Sequence, residues 1–371
     1  MIEKLNLLAG VFGLAGQVTR FEVISNGNIN ATYDVTVTNG SENRRFVFQK
    51  LNIHVFKNPK QIMKNISKIT AHIADKLEAE GKSRDCVMHF VVRENGKNYY
   101  TDDGSFWRVS EFVPNTVTYN TCDDLEKLES AGRAFGEFQT MLADFDATQL
   151  AETIPGFHDT RRYFDSFEQN VSEDPCGRAD SVADVINQAR NFKELATQLN
   201  KLVDEGKLPF RVTHNDTKIN NVLFDKDTGE AKTVIDLDTV MPGLVCHDFG
   251  DAIRGGANTA AEDESDLSVI ALDMNKFTAF ARGFIPPVVN ALTDIEIDTL
   301  ALGAFTIAVE LGTRFLNDYL TGDKYFKTLY PGHNVVRARC QYRLAENMLE
   351  KMDEMKAVIK DIVERAKDSK I

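Results

Sequence analysis

The segment 213–238, which reads THNDTKINNVLFDKDTGEAKTVIDLD, constrains the fold more than any other part of this 371-residue chain. It contains two short apolar runs, NVLF and KTVI, separated by turn-forming residues that include Gly229, which can adopt a positive φ. This pattern predicts two antiparallel strands joined by a tight connection. Because the start of the first strand would lie beside the end of the second, Asn221 and Asp236 should meet at one end of the hairpin.

The loop in front of this hairpin has a spacing found in catalytic loops. His214, Asp216 and Asn221 follow the pattern H-x-D-x-x-x-x-N, which is typical of enzymes that transfer a phosphoryl group. Such a reaction needs a carboxylate that orients and deprotonates the attacking hydroxyl, and oxygen ligands that hold Mg²⁺ on the donor phosphates. We therefore predict that Asp216 is the catalytic base and that Asn221 and Asp236 bind the metal.

Further carboxylates lie close to this segment. Asp238 follows Asp236 by two residues, and in an extended chain the two side chains would point the same way, so Asp238 is a candidate second metal ligand. The D-F-G triplet that begins at Asp248 spells the metal-binding motif of protein kinases, but no apolar strand leads directly into it. We interpret Asp248 and Asp251 as structural or substrate-side carboxylates.

The composition argues against some classes of partner. The chain has 56 acidic and 43 basic residues and a formal charge of −13, which disfavours nucleic acid, because phosphate binding needs clustered Lys and Arg. No segment has the ~20 consecutive apolar residues of a membrane span, and the charge gives no support for an anionic membrane surface. The five scattered cysteines predict neither a disulfide framework nor a zinc site. We expect a cytoplasmic protein that is a monomer or a weak homodimer.

The chain divides into a β-rich part and a mainly helical part. Turn signals and β-forming residues in the first third predict strands at 21–24, 31–38, 45–48, 88–92, 98–101 and 106–112. A helix is predicted to begin at Pro59. From Asp123 onward the periodicity is helical, and the final helix is predicted at 337–366. The predicted fold class is α+β, a bilobal protein-kinase-like fold with an N-terminal antiparallel sheet lobe, residues 1–112, and a larger, mainly helical C-terminal lobe, residues 113–371.

This arrangement predicts that ATP binds between the lobes. The turn that contains Gly27 and Asn28 would lie over the phosphates, although its single glycine makes it a weaker signal than a G-x-G-x-x-G loop. The backbone between Glu111 and Val113, which leaves the last strand of the sheet, is the natural contact for adenine.

The strand FVFQK offers two residues where a kinase lysine would contact the phosphates. Gln49 and Lys50 lie on opposite faces of that strand, because side chains alternate along it. If the face of Gln49 covers the nucleotide, an amide replaces the usual ammonium; if the other face does, Lys50 serves. The sequence leaves both possibilities open.

Several stretches together give the chain a resemblance to a known superfamily. They include GNINATYDV at 27–35, FVFQKLNIHVFKNP at 46–59, VTHNDTKINNVLFD at 212–225 and HDFGDAIR at 247–254. On these stretches the chain resembles, over essentially its whole length, the aminoglycoside phosphotransferase and choline kinase superfamily, and within it the N-acetylhexosamine 1-kinases. The resemblance implies ATP-dependent phosphotransfer to a small molecule, with Mg²⁺ as the metal.

The resemblance also implies which acceptor the chain uses. The acceptor would be the anomeric hydroxyl of N-acetylglucosamine or N-acetylgalactosamine, and the product the sugar 1-phosphate. Relatives hold the sugar with polar and aromatic residues of the helical lobe, which here points to Arg314 and Tyr325, and also to His158 and Asp159.

Alternatives remain for these substrate residues. Arg314 can instead be the partner of Glu310, one helical turn away, and His158 can be a buried structural histidine. The chain departs from its relatives at Asn28, where histidine is common, and relatives vary around 254–256. Either difference could change which sugar fits without changing the residues of phosphotransfer.

Two competing functions follow from the same residues. The chemistry could be kept with another acceptor, such as a different sugar, a choline-like amino alcohol or an aminoglycoside. A nucleotide-binding protein without catalysis is the other alternative, and the intact set of Asp216, Asn221 and Asp236 argues against it.

Overall fold

The computed structural model describes residues 1–24 and 29–368, and its N-terminal part is built on one antiparallel sheet. The strands are β1 Gln17–Ile24, β2 Ala31–Asn39, β3 Glu42–Leu51, β4 Tyr100–Asp102 and β5 Ser105–Glu111. Their order across the sheet is β1-β2-β3-β5-β4. The predicted strands of this sheet are confirmed with one exception, given below. The predicted turn with Gly27 and Asn28 lies outside the described residues.

The two faces of this sheet pack against different parts of the molecule. Helix α1, Ile2–Val11, covers one face, where Phe46, Phe48 and Trp107 belong to a compact apolar cluster. Helix α2, Pro59–Ala79, begins at the predicted proline and lies against the other face. Its buried apolar residues are continuous with the core of the C-terminal lobe, so α2 ties the sheet to the rest of the molecule.

The larger C-terminal lobe is mainly helical, and the α+β bilobal prediction is confirmed. Its helices are α3 Leu125–Met141, α4 Thr160–Glu173, α5 Ala183–Ala196, α6 Gln198–Asp204, α7 Val245–Gly256, α8 Met274–Val288, α9 Asp294–Asp298, α10 Leu300–Leu320, α11 His333–Glu350 and α12 Met352–Asp368. Helix α10 is buried along most of its length and packs against α4, α5, α7 and α11. Within residues 1–24 and 29–368, no helix combines the length and apolarity needed to cross a membrane.

Short strands interrupt this helical lobe around the predicted hairpin. They are β6 Thr116–Val117, β7 Arg211–Thr213, β8 Val222–Asp225, β9 Ala231–Val234 and β10 Met241–Gly243. The hairpin of β8 and β9 is confirmed, and Gly229 in its turn has a φ of 74°. Strand β6 pairs with β8 on the side away from β9, and β7 pairs with β10.

One predicted strand is absent. Residues 88–92 run beside the sheet but form only an isolated bridge, between Phe90 and Ser110. The cause is the shared edge of β5: β4 already pairs with the first half of that edge, at Ser105 to Trp107. Only the last part of β5 remains for residues 88–92, which is too short for a regular ladder.

The final predicted helix is divided. The periodicity over 337–366 predicts one helix, whereas α11 ends at Glu350 and α12 begins at Met352. The break at Lys351 allows α11 to pack against α10 while α12 packs against α8. The ammonium of Lys351 donates to the carbonyl of Leu272 at 2.7 Å and holds the chain at this break. Tertiary packing therefore overrides a continuous helical pattern.

Candidate active site

Asn215 turns the chain between β7 and the loop that carries Asp216. Its φ is 64°, a left-handed conformation that asparagine tolerates better than most residues. The side-chain amide stabilises this turn by donating to the carbonyls of Thr213 at 3.2 Å and Thr239 at 2.9 Å. As a result, His214 points into the core, whereas the carboxylate of Asp216 is partly exposed.

His214 fastens the loop to the hairpin. Its Nε2 donates to the carbonyl of Ile235 at 2.8 Å, and its Nδ1 accepts from the amide of Asp216 at 3.3 Å. This pair of bonds assigns the proton to Nε2, because a carbonyl can only accept and an amide can only donate. The rings of Phe135 and Phe138 on α3 contact the imidazole edge to face, so the loop is fixed by both polar and apolar contacts.

Asp216 is held in an ionised form beside a lysine that the spacing pattern leaves unspecified. One carboxylate oxygen lies 2.8 Å from the ammonium of Lys218, and the other accepts from Asn221 Nδ2 at 3.1 Å. Burial favours the neutral acid, but Lys218 outweighs burial and the pKa of Asp216 is lowered. The same interaction raises the pKa of Lys218 to about 12. The sequence signal for this unpredicted neighbour is a lysine two residues after the aspartate.

Asp236 lies beside Asp216 with the properties of a cation ligand. Within the described part of the chain, no donor bonds its carboxylate, which is exposed to the cleft. The pKa of Asp236 is nevertheless raised to about 7. The main cause is that the walls of the cleft reduce the hydration of the carboxylate, and repulsion from the carboxylates of Asp238 and Asp216 adds to it. A bound cation would relieve this repulsion. The Nδ2 atom of Asn221 is used by Asp216, so the Oδ1 atom of Asn221 is left as a neutral oxygen ligand.

This donor set is small and fits Mg²⁺. Among residues 1–24 and 29–368, no three side chains of His, Cys, Asp or Glu come together as a metal site. Mg²⁺ does not need such a cage, because it commonly takes one or two carboxylates and completes its six ligands with water and substrate phosphates. Asn221 and Asp236 therefore fit the group that the sequence predicts.

The predicted role of Asp238 as a second metal ligand is not supported. The prediction assumed an extended chain, but Asp236 is left-handed with a φ of 59°, and Leu237–Thr239 forms a 3₁₀ turn. This turn buries Asp238, whose two oxygens accept from Arg108 and from Asn30 Nδ2. Asp238 is a structural anion that links the two lobes.

Of the two candidates on β3, Gln49 is the one on the cleft side. Phe48 belongs to the apolar cluster under α1, and Lys50 shares its face of the strand, so Lys50 points away from α2 and the C-terminal lobe. Gln49 faces the other way and accepts from Arg108 Nε at 2.9 Å. Arg108 was not predicted, since nothing in the sequence shows that β5 lies beside β3.

The backbone of the connection between the lobes is only partly engaged in hydrogen bonds. Glu111 ends β5, and its amide donates to the carbonyl of His89 at 2.9 Å, so this amide is engaged within the small lobe. The carbonyl of Val113 accepts from Thr116 Oγ1 at 2.8 Å. The amide of Val113 has no partner in the described ranges. This amide is the better candidate for a contact with a nucleotide base.

Asp248 and Asp251 hold the backbone of the loop that carries Asp216. The carboxylate of Asp248, on α7, accepts from the amides of His214 at 2.8 Å and Asn215 at 2.7 Å. The carboxylate of Asp251, one turn further along α7, accepts from the amide of Thr217 at 2.9 Å. The structural interpretation of these two residues is confirmed, because both hold the backbone of the loop.

His158 lies behind the catalytic loop rather than on its surface. Its Nδ1 lies 2.9 Å from a carboxylate oxygen of Glu310, and its Nε2 lies 3.3 Å from the carbonyl of Asn215. Burial alone would lower the pKa of His158, but Glu310 outweighs burial and the pKa is raised. Both ring nitrogens face acceptors, so this histidine is a charged link between α10 and the loop. Its neighbour Asp159 caps the first turn of α4.

Arg314 lies at the other end of this link. Its Nη1 is 3.9 Å from Glu310, so the predicted ion pair is present, although at the limit of a direct contact. Its guanidinium also lies over three aromatic rings, 5.4 Å from the centroid of Phe157, 5.1 Å from Tyr163 and 5.8 Å from Phe326. These contacts restrain the side chain on one wall of the C-terminal lobe.

Tyr325 is an exposed ring on a firmly anchored loop. The residue is 62% exposed. The carboxylate of Asp318 accepts from three consecutive amides, those of Lys324, Tyr325 and Phe326, each at 2.9 Å. An exposed aromatic on a rigid backbone is a surface on which a sugar ring can stack.

His158 also borders a cavity of about 300 Å³. His158, Asn215, Gly243 and His247 are among its lining residues. Burial and the charge of His158 lower the pKa of His247 to about 3, so His247 is neutral at physiological pH. Its ring lies 5.2 Å from that of His158, and its Nε2 has no partner in the part of the chain that the structure describes.

Comparison with known proteins places this geometry in context. A family model described as phosphotransferase enzyme family (APH) matches residues 20–272. A microcompartment-associated aminopropanol kinase has a similar structure, with a TM-score of 0.61 at 14% identity over 95% of this chain and 98% of that chain. An aminoglycoside phosphotransferase from Alicyclobacillus acidocaldarius gives 0.59 at 14%, over 98% and 97%. A spectinomycin phosphotransferase in complex with ADP and spectinomycin gives 0.54 at 13%, over 99% and 97%. At these identities the solved structures show a shared fold.

Proposed function

The chain belongs to the phosphotransferase enzyme family, and we propose that it transfers the γ-phosphate of ATP to the anomeric hydroxyl of an N-acetylhexosamine. The observation that carries the proposal is the position of Asp216. It is an ionised carboxylate on a fixed loop, beside Lys218 and next to the free carboxylate of Asp236. This arrangement supplies a base, a cation and a metal ligand within one segment of chain.

The proposed reaction uses these groups in a single transfer. Asp216 accepts the proton of the sugar hydroxyl as its oxygen attacks the γ-phosphorus, and the bond from that phosphorus to the bridging oxygen of ATP breaks. The products are the sugar 1-phosphate, ADP and a proton that Asp216 later releases to solvent. Lys218 keeps Asp216 ionised before the reaction and places a positive charge where the transferred phosphoryl group carries negative charge.

Asn221 and Asp236 would hold the metal. Mg²⁺ bound there would neutralise charge on the phosphates of ATP during the transfer. Asp216 is bonded to Asn221 through both its carbonyl, at 2.8 Å, and its carboxylate, at 3.1 Å. The base and the amide ligand are therefore positioned as one unit, which keeps the acceptor hydroxyl in register with the phosphates.

The charges around the loop favour a neutral acceptor over a cationic one. Asp248 and Asp251 are used by backbone amides, and Glu310 is neutralised by His158 and approached by Arg314. An amino alcohol or an aminoglycoside needs an unpaired carboxylate or an aromatic cage for its ammonium group. The restrained guanidinium of Arg314 and the exposed ring of Tyr325 suit the hydroxyl and acetamido groups of a sugar.

The proposal is tested by measuring ADP formation with purified protein, ATP and Mg²⁺. The acceptors are N-acetylglucosamine, N-acetylgalactosamine, glucose, galactose, choline, 1-amino-2-propanol and spectinomycin. We expect turnover with an N-acetylhexosamine, and a product whose phosphate is coupled to the anomeric proton in the phosphorus NMR spectrum. Turnover restricted to an amine-bearing acceptor would contradict the sugar assignment and keep the phosphotransferase class.

A matched pair of variants separates the acceptor site from the loop. Arg314→Gln should raise the KM for the sugar by roughly 10- to 100-fold, because a charged hydrogen-bond donor contributes about 1.5–3 kcal/mol, while the KM for ATP stays unchanged. Arg339→Gln is the control, since Arg339 pairs with Asp184 on a different surface. If both variants have the same KM for the sugar, Arg314 does not belong to the acceptor site.

A further inference from the structure

Arg108 is a buried cation at the junction of the two lobes. It lies on β5 opposite Gln49 of β3, and its side chain is 2% exposed. Its Nε donates to Gln49 Oε1 at 2.9 Å, and its Nη1 donates to a carboxylate oxygen of Asp238. Nη1 also lies 3.9 Å from the sulfur of Met63 on α2. The guanidinium is therefore held by two strands, one helix and the turn after the catalytic hairpin.

This position faces the proposed nucleotide site. Asp238, which accepts from Arg108, follows Asp236 by two residues within the same tight turn. The guanidinium thus joins the cleft face of the sheet to the turn that begins at the proposed metal ligand. Phosphates bound at Asp236 would be attracted by the positive charge of the Arg108 guanidinium.

No other cation fills this place in the described ranges. Arg108 is the one buried Arg or Lys on the described strands of the sheet. Lys50 points to the opposite face of β3. On α2, which faces the cleft side of the sheet, the buried polar residue Asn65 donates to the carbonyls of Ala151 and Val240. An ion pair between β3 and α2 is therefore not present in this part of the structure, and the pair of Arg108 with Asp238 is found instead.

We propose that Arg108 contacts the phosphates of the bound nucleotide, and that Gln49 and Asp238 position it. The proposal rests on ATP being the phosphoryl donor. A guanidinium has five N–H donors, and in the described ranges Nη2 makes no hydrogen bond. A fully buried ion pair adds little net stability by itself, because both charges lose their hydration. Such a pair can instead hold a hydrogen-bond donor, here the guanidinium, in position to contact phosphate.

The proposal makes a prediction that depends on the number of phosphates. ADP has two phosphates for Arg108 to contact, whereas adenosine has none and is bound through its base and ribose. Loss of the guanidinium should weaken ADP and leave adenosine unaffected. A residue that only holds the lobes together would affect both ligands, because the whole site would be distorted.

The experiment measures dissociation constants for ADP and adenosine by displacement of a fluorescent ADP analogue, in EDTA so that no metal contributes. The variants are Arg108→Lys and the double variant Arg108→Gln/Asp238→Asn, which leaves no unpaired buried charge. Lys50→Ala is the control. Thermal unfolding of each protein is recorded alongside, and the comparison uses whichever Arg108 variants remain folded at the assay temperature.

We expect ADP to bind at least about 10-fold more weakly to the Arg108 variants, since a charge-assisted hydrogen bond is lost or weakened. Adenosine should change by less than about 2-fold by the same reasoning, and Lys50→Ala should match the wild type for both ligands. An unchanged ADP affinity, or an equal loss for ADP and adenosine, would overturn the role of Arg108. A wild-type protein that binds no adenine nucleotide would instead overturn the proposed function.

Discussion

The proposed catalytic segment, residues 213–238, and the cleft face of the sheet differ in how their candidate functional groups are assembled. In the segment, Asp216, Lys218, Asn221 and Asp236 lie within one stretch of chain and are brought together by one hairpin. On the sheet, the cleft-facing cation is Arg108, far from β3 in sequence and beside it only through strand pairing. A site made from one hairpin is visible as a spacing, whereas a site made by strand pairing is visible only in the fold.

The largest effect should come from Asp216, the proposed catalytic base. Asp216→Asn removes the proton acceptor but keeps the shape of the side chain, so kcat should fall by roughly 10³-fold, within the range for general-base catalysis. The affinity for ADP should stay within about 2-fold, because the base acts on the acceptor. Initial-rate assays measure kcat, and titration with ADP measures the affinity. Normal turnover in this variant would mean that the spacing has been misinterpreted.

The next effect should separate the two aspartates of the D-x-D pair. Asp236→Asn should weaken Mg²⁺-dependent ATP binding by roughly 10²-fold, because it removes the carboxylate proposed to bind the metal. Asp238→Asn should leave the Mg²⁺ dependence unchanged and lower thermal stability, because it leaves Arg108 without its buried partner. ATP titrations across a series of Mg²⁺ concentrations distinguish the two variants. The reverse pattern would restore Asp238 as the metal ligand.

A smaller effect should show that the catalytic segment depends on distant residues too. Asp248→Asn replaces an acceptor of three hydrogen bonds, from His214, Asn215 and Gln139, with a weaker one. We expect a loss of about 2 kcal/mol in the free energy of unfolding. The Mg²⁺ dependence of ATP binding in the surviving folded protein should be unchanged. Denaturant unfolding measures the first quantity, and a variant as stable as the wild type would contradict the supporting role.

The smallest effect concerns pH. The pKa of His247 is lowered to about 3 by burial and by His158, so the unfolded chain, with a histidine pKa of about 6.5, binds more protons. The stability that His247 contributes is therefore complete above pH ~6.5 and is lost progressively as pH falls toward the folded pKa. At pH ~5.5 the loss should be about 1.4 kcal/mol.

The control for this pH effect is an exposed histidine. His247→Gln should reduce the loss of unfolding free energy between pH ~7 and pH ~5.5 by that amount, whereas His54→Gln should not change it, because His54 is exposed. His158 acts in the opposite direction, since its raised pKa adds stability at low pH that is lost as pH rises through the folded pKa. An identical pH profile for the wild type and His247→Gln would contradict the assignment.

The segment also shows where prediction from sequence ends. Its strands, the turn at Gly229 and the grouping of Asp216 with Asn221 follow from spacing and alternation. The left-handed backbone at Asp236 does not, because it depends on the 3₁₀ turn that follows and on the anchoring of Asp238 by Arg108. The expectation that the carboxylates of Asp236 and Asp238 point the same way was wrong for this reason.

Other limits of prediction have the same physical origin. The pattern over 337–366 is helical throughout, yet the break at Lys351 is set by packing against α8 and α10. The strand predicted at 88–92 has suitable residues, but β4 already pairs with the edge that it would need. Local preference predicts the type of an element, whereas competition with distant elements decides whether it forms as a regular one.

The pairing of β6 with β8 has a mechanical consequence. The chain that leaves the small lobe is hydrogen-bonded to that lobe as far as Phe112, and to the hairpin of β8 and β9 from Asn115 onward. Only Val113 and Pro114 lie between these two attachments. A rotation of the small lobe about this connection would change the backbone angles of Val113 and Pro114, and the amide of Val113 has no partner among residues 1–24 and 29–368. The proposed contact with the nucleotide base lies at this same position, so such a rotation would also move that contact.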